Sequence, residues 1–413
     1  MYLSEQNKIN ALMYADDLVL ISRTKEGLQR QIDCVKNYCQ KWKLTINIKK
    51  TKSMVFNRGN KLIDATFHVG DSPIENVKSF TYLGFTICAK NCSFQKTMDD
   101  LSLKANRAVF AIKSKIKLSQ LPMKLAIKIF NTQIVPILLY GSEVWGPYMN
   151  FDYTSWDQSR TERIQTQFIK QVLGCNFQTS NNMARADSGC RPLINNIIKR
   201  FILYTKNVNS RPFNLCHDAL KFEKNNNETP NFCKYLHNYS LDMKNLLSKS
   251  KLAISKICQE NYDRFWKEKI LQSSKATYFC KFKLSIGLEK HLKFNFNIRH
   301  KKAISRFRMS NHTLMIEKGR HKKIERNERK CYFCKDKIED EVHFLVNCPL
   351  YTSQRNILVM VCNEICIRFA NYSEEQKIIF LMSNEHEKVI KALGKYIFES
   401  LGIRDKIVAY FFS

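Results

Sequence analysis

Residues 11–22 read Ala-Leu-Met-Tyr-Ala-Asp-Asp-Leu-Val-Leu-Ile-Ser, and this stretch decides the fold that the sequence predicts. Two short β-prone runs, 11–14 and 18–21, lie on either side of Asp16 and Asp17. Such an arrangement predicts a β-hairpin with both carboxylates at its tip. The backbone of the turn then fixes the positions of both carboxylates. Such a pair fits Mg²⁺, which accepts one or two carboxylates together with phosphates and water. Taken alone, two adjacent aspartates are more often a plain acidic turn.

The residues that follow the hairpin alternate between helical and β patterns. Thr24 is a predicted N-cap, and the apolar residues after it recur at helical spacing on one face: Leu28, Ile32, Val35, Cys39 and Trp42. Strands are predicted at 44–48, 53–56, 66–69 and 80–87. The last two are predicted to pair through the turn at 70–73.

From about residue 95 the apolar residues take the period of a helix, and the chain is predicted to stay mainly helical to about residue 215. A linker is predicted at 225–231, where polar residues and Pro230 cluster. We therefore predict an α+β fold in four segments: 1–92 (mixed α and β), 93–215 (helical), 216–298 (linker and helices) and 299–413 (basic segment, Cys/His element and C-terminal helices).

The charge balance is strongly basic and points to a polyanion. The 413 residues contain 68 Lys and Arg against 37 Asp and Glu, a formal net charge of +31. Nucleic acid is the expected partner, because each neutralised phosphate releases condensed counterions. An anionic membrane surface is the alternative, but no lipidation signal or apolar run of about 20 residues is present. We therefore expect no membrane partner.

Cysteine usage indicates a reducing compartment. The 15 cysteines are mostly scattered singly, and the chain turns polar immediately after Leu3, unlike a signal peptide. Reduced thiols are the simplest interpretation. We expect the protein to be intracellular, in the nucleus or the cytoplasm, and not secreted.

Three of these cysteines, together with one histidine, form a metal-binding pattern. Cys331, Cys334, His343 and Cys348 follow the spacing C-x2-C-x8-H-x4-C. Three thiolates and one imidazole are a closed set of structural Zn²⁺ ligands that leaves no open catalytic position. Chance alignment in a cysteine-rich chain is the alternative, and His312 is a rival but more distant ligand.

The densest run of cations precedes this element, between residues 299 and 330. Beside a zinc site, such a run predicts a nucleic-acid-holding surface. A flexible basic linker is the alternative. The cations chosen as binding residues are Arg320, Lys322, Lys323 and Arg326.

Several motifs together resemble one known family. Tyr14-Ala15-Asp16-Asp17 and the residues after it resemble the palm of reverse transcriptases from non-LTR, LINE-type retrotransposons, over 14–22, 27–29, 42–44 and 47–52. Residues 139–146, Leu-Tyr-Gly-Ser-Glu-Val-Trp-Gly, resemble the segment that follows the palm, where helices form a thumb. Residues 310–351 resemble the C-terminal CCHC zinc-knuckle region of the same retrotransposons.

The resemblance implies an RNA-directed DNA polymerase that copies an RNA template from a DNA primer with dNTPs. Asp16 is then the main Mg²⁺ ligand and Asp17 the second, within a motif that includes Tyr14 and Ala15. The resemblance also implies a primer grip at Tyr82, Leu83 and Gly84. Lys50 or Lys52 supplies a cation near the departing pyrophosphate, and we choose Lys50. A solvated turn is the alternative for both lysines.

The chain departs from this family at its beginning. The family's third carboxylate lies on an earlier strand, but only thirteen residues precede Tyr14, and Glu5 is their only acid. We therefore expect a C-terminal portion with a truncated palm, a thumb and a zinc knuckle, inactive by itself. A nucleic-acid-binding remnant without catalysis and the product of a decayed reading frame are the alternatives.

Overall fold

The computed structural model describes residues 9–56, 65–89, 94–212, 214–225 and 230–412. Its contacts group the chain into two compact units, each assembled from three separate stretches. Unit 1 comprises Met1–Ala105, Ile137–Trp156 and Asn196–Ile254. Unit 2 comprises Asn106–Pro136, Asp157–Asn195 and Ser255–Ser413. The four consecutive segments expected from the sequence stay a prediction.

The strands lie near the beginning of the chain, in unit 1. They are β1 (Ala11–Tyr14), β2 (Asp17–Leu20), β3 (Lys52–Ser53), β4 (Phe67–Val69), β5 (Ser72–Asn76), β6 (Ser79–Tyr82) and β7 (Phe85–Cys88). β1 pairs with β2 and β6 with β7, each as an antiparallel hairpin. The third sheet has the order β3-β5-β4, with β3 parallel and β4 antiparallel to β5.

The remainder of the described chain is mainly helical. The first helices are α1 (Lys25–Lys41), α2 (Gln95–Lys115), α3 (Met123–Ile129), α4 (Val135–Leu138), α5 (Ser142–Trp145), α6 (Tyr153–Trp156), α7 (Arg160–Leu173), α8 (Asn181–Ser188), α9 (Ile194–Asn209) and α10 (Leu215–Asn225). They are followed by α11 (Pro230–Asn238), α12 (Met243–Ser248), α13 (Lys251–Leu271), α14 (Phe279–Phe282), α15 (Lys290–Lys293), α16 (Ile298–Arg308), α17 (Met315–His321), α18 (Thr352–Ile365), α19 (Glu374–Ser383) and α20 (Glu387–Phe412). A mixed α+β fold is thus confirmed.

The local patterns around α1 give the expected structure. The side chain of Thr24 accepts a hydrogen bond from the Gly27 backbone N–H, which confirms the predicted N-cap. Ile32 of α1 is buried in a small core with Phe67 and Ile74 of the β4–β5 hairpin. The predicted helix face is only partly buried, because Trp42 at its end is 60% exposed.

Two strand predictions agree only in part, because within 53–56 only Ser53 lies in a strand and 80–87 forms the two strands β6 and β7. Two others are wrong. Residues 44–48 form no strand, and a turn follows in which the Lys50 N–H donates to the Asn47 carbonyl. Residues 66–69 do not pair with 80–87, because β4 pairs with β5 across the short turn at 70–71 instead. Sequence spacing cannot choose between a near and a distant partner strand, and the nearer partner costs less loop-closure entropy. Part of the predicted 225–231 linker, 226–229, lies outside the described residues.

The core of unit 2 surrounds the Cys/His element. α16, α18, α19 and α20 contribute most of its buried apolar side chains, and Cys331, Phe344 and Cys348 belong to the same cluster. Among the described residues no single helix is long and apolar enough to cross a membrane. Met123–Leu138 and Ser142–Tyr148 reach that composition only when taken together.

Candidate functional site

The Asp16–Asp17 hairpin has the form predicted from the sequence. Tyr14 lies opposite Asp17 in the β1–β2 register, so Ala15 and Asp16 are the two turn residues. Ala15 has a φ of +54°, as two-residue hairpin turns require. Asp16 therefore lies at the tip and Asp17 begins the second strand. Tyr14 is 65% exposed, so the motif lies open on unit 1.

This hairpin presents two carboxylates, those of Asp16 and Asp17, and no third potential ligand joins them within the described residues. The single group of three or more potential His, Cys, Asp or Glu ligands in that part of the chain is the Cys/His element. Two carboxylates fit part of a Mg²⁺ coordination shell, which phosphates and water complete. A two-metal site that holds both the attacking and the leaving oxygen needs further ligands.

The two lysines proposed near the pyrophosphate differ in their surroundings. Lys52 pairs with Glu75 at 2.5 Å, so its charge is already partly neutralised. Lys50 is exposed in the turn after α1, with no carboxylate within 4 Å among the described residues. The choice of Lys50 is therefore favoured and remains a prediction.

The predicted primer-grip hairpin and the motif at 139–146 meet in unit 1. Leu83 and Gly84 form the β6–β7 turn with φ angles of +47° and +83°. The Tyr140 hydroxyl donates a hydrogen bond of 2.9 Å to the Leu83 carbonyl, and its ring lies 5.5 Å from that of Phe85. A Cβ on Gly141 would lie 2.0 Å from the Phe85 ring, so glycine is required there. The second motif thus stabilises the turn of the first.

The four side chains of the Cys/His element converge on one point. Their ligand atoms all lie within 4.8 Å of one another. The Sγ atoms of Cys334 and Cys348 are 3.8 Å apart, and a tetrahedral zinc ion with bonds of about 2.3 Å holds two sulfurs about 3.8 Å apart. Nε2 of His343 is buried and has no hydrogen-bond partner among the described residues. The donor set therefore fits tetrahedral Zn²⁺ with no open position.

A π-helical turn, His343–Asn347, brings the last two ligands together. The Cys348 N–H donates to the His343 carbonyl at 2.7 Å, a bond across five residues. At 100° per residue, a spacing of five on an α-helix places two side chains on different faces, whereas the π turn aligns them. Asp340 supports this turn, because its carboxylate accepts a hydrogen bond from the His343 N–H.

The first two ligands lie on a tight loop. The Cys331 N–H donates to the Lys337 carbonyl and the Lys335 N–H donates to the Cys331 carbonyl, both at 2.8 Å. A hydrogen bond between the Cys331 and Cys348 side chains lowers the pKa of Cys331 and raises the pKa of Cys348. His312, the rival ligand, pairs with Glu341 at 3.2 Å and is not in the cluster.

A buried ion pair that the sequence analysis missed anchors the element. Arg404 of α20 donates two hydrogen bonds of 2.6 Å to the Glu339 carboxylate, and both side chains are almost fully buried. The same carboxylate accepts the Met315 N–H at 2.7 Å. Arg404 also lies 5.7 Å from the centre of the Tyr332 ring, between the first two cysteines. The signal in the sequence is an arginine on the buried stripe of an apolar helix.

We expect Arg404→Met to lower the free energy of unfolding by about 3–5 kcal/mol, because it leaves Glu339 as an unpaired buried charge. Lys395→Met is the matched control on the same helix, since its pair with Glu399 is exposed and worth less than about 1 kcal/mol. Denaturant-induced unfolding measures both. Adding Glu339→Leu to Arg404→Met should recover part of the loss, because the unpaired charge is removed but the Met315 N–H loses its acceptor. Equal effects of the two single changes would contradict the anchoring role.

Part of the predicted basic surface at 299–330 is core. Arg308 is buried and donates two hydrogen bonds to Asp187, at 2.7 and 3.0 Å. Arg329 donates to the Ile324 and Ile316 carbonyls. Because α16 packs in the core of unit 2 and Arg329 is bonded to two backbone carbonyls, the flexible-linker alternative is wrong for these two residues.

The four cations predicted to bind nucleic acid also divide into paired and unpaired side chains. Arg320 lies 3.1 Å from Glu317, so its charge is already paired. Lys322, Lys323 and Arg326 are exposed, with no carboxylate within 4 Å among the described residues. These three cations are available to a polyanion.

A second cationic surface carries no compensating acid. Residues 106–136 contain six Lys and Arg and no Asp or Glu. We call the following cations the basic helical surface: Arg107, Lys113, Lys115, Lys117, Lys124 and Lys128. All six are exposed on or beside α2 and α3, and none has a carboxylate within 4 Å among the described residues. Such a surface favours an anionic partner.

Comparison with known proteins gives these features a common context. Residues 2–87 match the family described as reverse transcriptase (RNA-dependent DNA polymerase). The chain is also 27% identical over 141 residues to a transposon-derived protein of Caenorhabditis elegans, a match that covers 32% of this chain and 48% of the relative. It thus spans about half the length of that relative. Together the two matches relate this chain to the reverse transcriptases of retrotransposons.

Proposed function

We propose that this chain is the C-terminal part of an RNA-directed DNA polymerase from a non-LTR, LINE-type retrotransposon. The observation that carries the proposal is the Tyr14–Asp17 hairpin, which presents Asp16 at its tip inside the segment that matches the reverse transcriptase family. The helices after residue 95 act as the thumb and the Cys/His element as a structural zinc site. RNA template, DNA primer and dNTPs are the partners, inside the cell.

In this function the carboxylates of the two aspartates would be ligands of the Mg²⁺ ions that support nucleotidyl transfer. Bound there, the ions would supply activation of the attacking 3′-oxygen and stabilisation of the leaving pyrophosphate. The turn fixes Asp16 relative to Asp17, and Tyr14 and Ala15 set the turn. The β6–β7 turn, held by Tyr140, would orient the primer end, and Lys50 would supply the cation that neutralises the departing pyrophosphate.

The basic helical surface supports the nucleic-acid part of the proposal. We expect log K for RNA to fall with log[salt], with a slope near −0.7 to −0.9 per phosphate contacted. Changing Lys113, Lys117 and Lys124 together to Gln should make the slope shallower by about 2 to 2.7, because three phosphate contacts are lost. Fluorescence anisotropy between about 50 and 200 mM salt measures it.

The control for this change removes three lysines that are already paired. Lys256, Lys391 and Lys395 each lie within 4 Å of a glutamate one helical turn away. Changing them to Gln alters the net charge equally and should leave the slope unchanged. Changing Arg320, Lys322 and Lys323 should make the salt slope shallower by the amount expected for two phosphate contacts, because Arg320 is already paired with Glu317. Equal slopes for all variants would contradict both cationic surfaces.

A second candidate function is nucleic-acid binding without polymerisation. It is favoured by the absence of a third potential ligand near Asp16 and Asp17 among the described residues. Primer extension by the chain joined to an upstream fingers-and-palm segment of a relative distinguishes the two functions, because both require RNA binding and only the first gives incorporation that depends on Asp16.

A further inference from the structure

An aromatic ring is exposed at the tip of a short loop in unit 2. The loop, residues 174–179, joins α7 to α8, and Phe177 is 76% exposed. A phenylalanine so exposed gains nothing from core packing in this chain. Phe177 is therefore available to contact a partner.

Hydrogen bonds hold this loop in one conformation. Lys170, which is buried, donates from Nζ to the Phe177 carbonyl at 2.8 Å. Asn176 donates its N–H to the Asn311 side chain at 3.1 Å, and its own side chain accepts two bonds from Thr179. Gly174, with a φ of +73°, ends α7 and starts the loop. The ring is thus presented by an ordered backbone, which lowers the entropy cost of binding.

Two cations of α16 lie against the base of the loop. Arg306 donates from Nε to the Gly174 carbonyl at 2.5 Å. The Lys302 side chain packs so closely on Gly174 that a Cβ there would lie 2.7 Å from it. Partial burial and the neighbouring Arg306 lower the pKa of Lys302. Neither cation has a carboxylate within 4 Å among the described residues, so the positive charge around the loop is not compensated.

We infer that the Phe177 loop is a binding site for single-stranded nucleic acid, in which one unpaired base stacks on Phe177 while Lys302 and Arg306 hold the adjoining phosphates. The inference rests on the proposed nucleic-acid-binding function but concerns residues outside the basic helical surface. An exposed ring flanked by cations is the combination that binds single strands, because every base offers a π face.

A single strand fits this loop better than a duplex. In a duplex the base faces are covered by their neighbours, so a ring at a loop tip finds no free face to stack on. The positive charge around the loop repels a basic partner. An acidic protein would be attracted, and the experiment includes it as the competing occupant.

The test uses the full chain and a fluorescein-labelled unstructured RNA, alone and annealed to its complement, in fluorescence anisotropy. We expect Phe177→Ala to weaken single-strand binding by about tenfold, the loss of one base–aromatic stack. Its salt slope and its duplex affinity should stay unchanged. Phe177→Trp should keep single-strand affinity within about twofold, and RNA should quench its indole fluorescence. Lys302→Gln should reduce the slope by about 0.7.

The control is Ile367→Ala, which removes another exposed apolar side chain of unit 2. It should change neither the affinity for single-stranded RNA nor the affinity for the duplex. Single-strand affinity of Phe177→Ala within about twofold of wild type, or an equal loss for both RNA forms, would overturn the stacking role. Displacement of RNA by polyglutamate from wild type but not from Phe177→Ala would assign the loop to an acidic protein and also overturn it. Wild-type chain that binds no RNA at low salt would instead refute the proposed function.

Discussion

Asp16→Ala should lower primer extension by about 10³-fold or more in a polymerase assembled from this chain and an upstream fingers-and-palm segment of a close relative. The reason is that Asp16 occupies the hairpin tip, and in the proposed function its carboxylate would be a ligand of the ions that act on both reacting oxygens. The assay is template-directed dNTP incorporation on an RNA template with Mg²⁺. The 413-residue chain alone should give no incorporation above background, with Mg²⁺ or Mn²⁺.

Asp71→Ala is the matched control for this experiment. Asp71 is also an exposed aspartate in a short hairpin turn of unit 1, between β4 and β5, and it lies outside the proposed motif. Its replacement should leave extension within about twofold, since surface changes away from special features have small effects. Equal loss for the two variants would mean that Asp16 acts through folding. Robust extension by the unmodified chain would show that another carboxylate completes the site.

Loss of the zinc site should have the largest effect on stability. We expect the purified chain to carry one zinc, and Cys334→Ser to reduce the content well below one. Structural zinc contributes about 10–16 kcal/mol of binding free energy in small domains. Cys331 and Cys348 lie inside the core of unit 2, so metal loss should lower the unfolding temperature of that unit strongly. Elemental analysis and thermal unfolding with and without chelator measure both effects.

Cys362→Ala provides the control, because Cys362 is fully buried in the same core and is not a ligand. It should keep one zinc and lose only the modest stability of a small cavity. Zinc affinity should fall as the pH is lowered, because protons compete for the thiolates and the imidazole. A substoichiometric metal content that Cys334→Ser leaves unchanged would refute the assignment.

Local patterns explain which sequence predictions agree with the structure. The β1–β2 hairpin, the Thr24 cap and the helices after residue 95 depend on interactions within one turn or one helix face. The prediction of the strand that pairs with β4 was wrong, because strand pairing depends on which segments fold against each other. The π turn at His343–Asn347 is also a local feature, but the sequence analysis did not predict it. Its extra residue places His343 and Cys348 around one point.

The sequence by itself determined the ligand types, the acidic hairpin and the excess of positive charge, because each depends on residue identity and short spacing. The tertiary structure decided which cations are available and what supports the Cys/His element. Arg308 pairs with Asp187 across 121 residues, and Arg404 pairs with Glu339 across 65. Such pairs form only where packing removes both partners from water, and no pattern along the chain specifies their meeting.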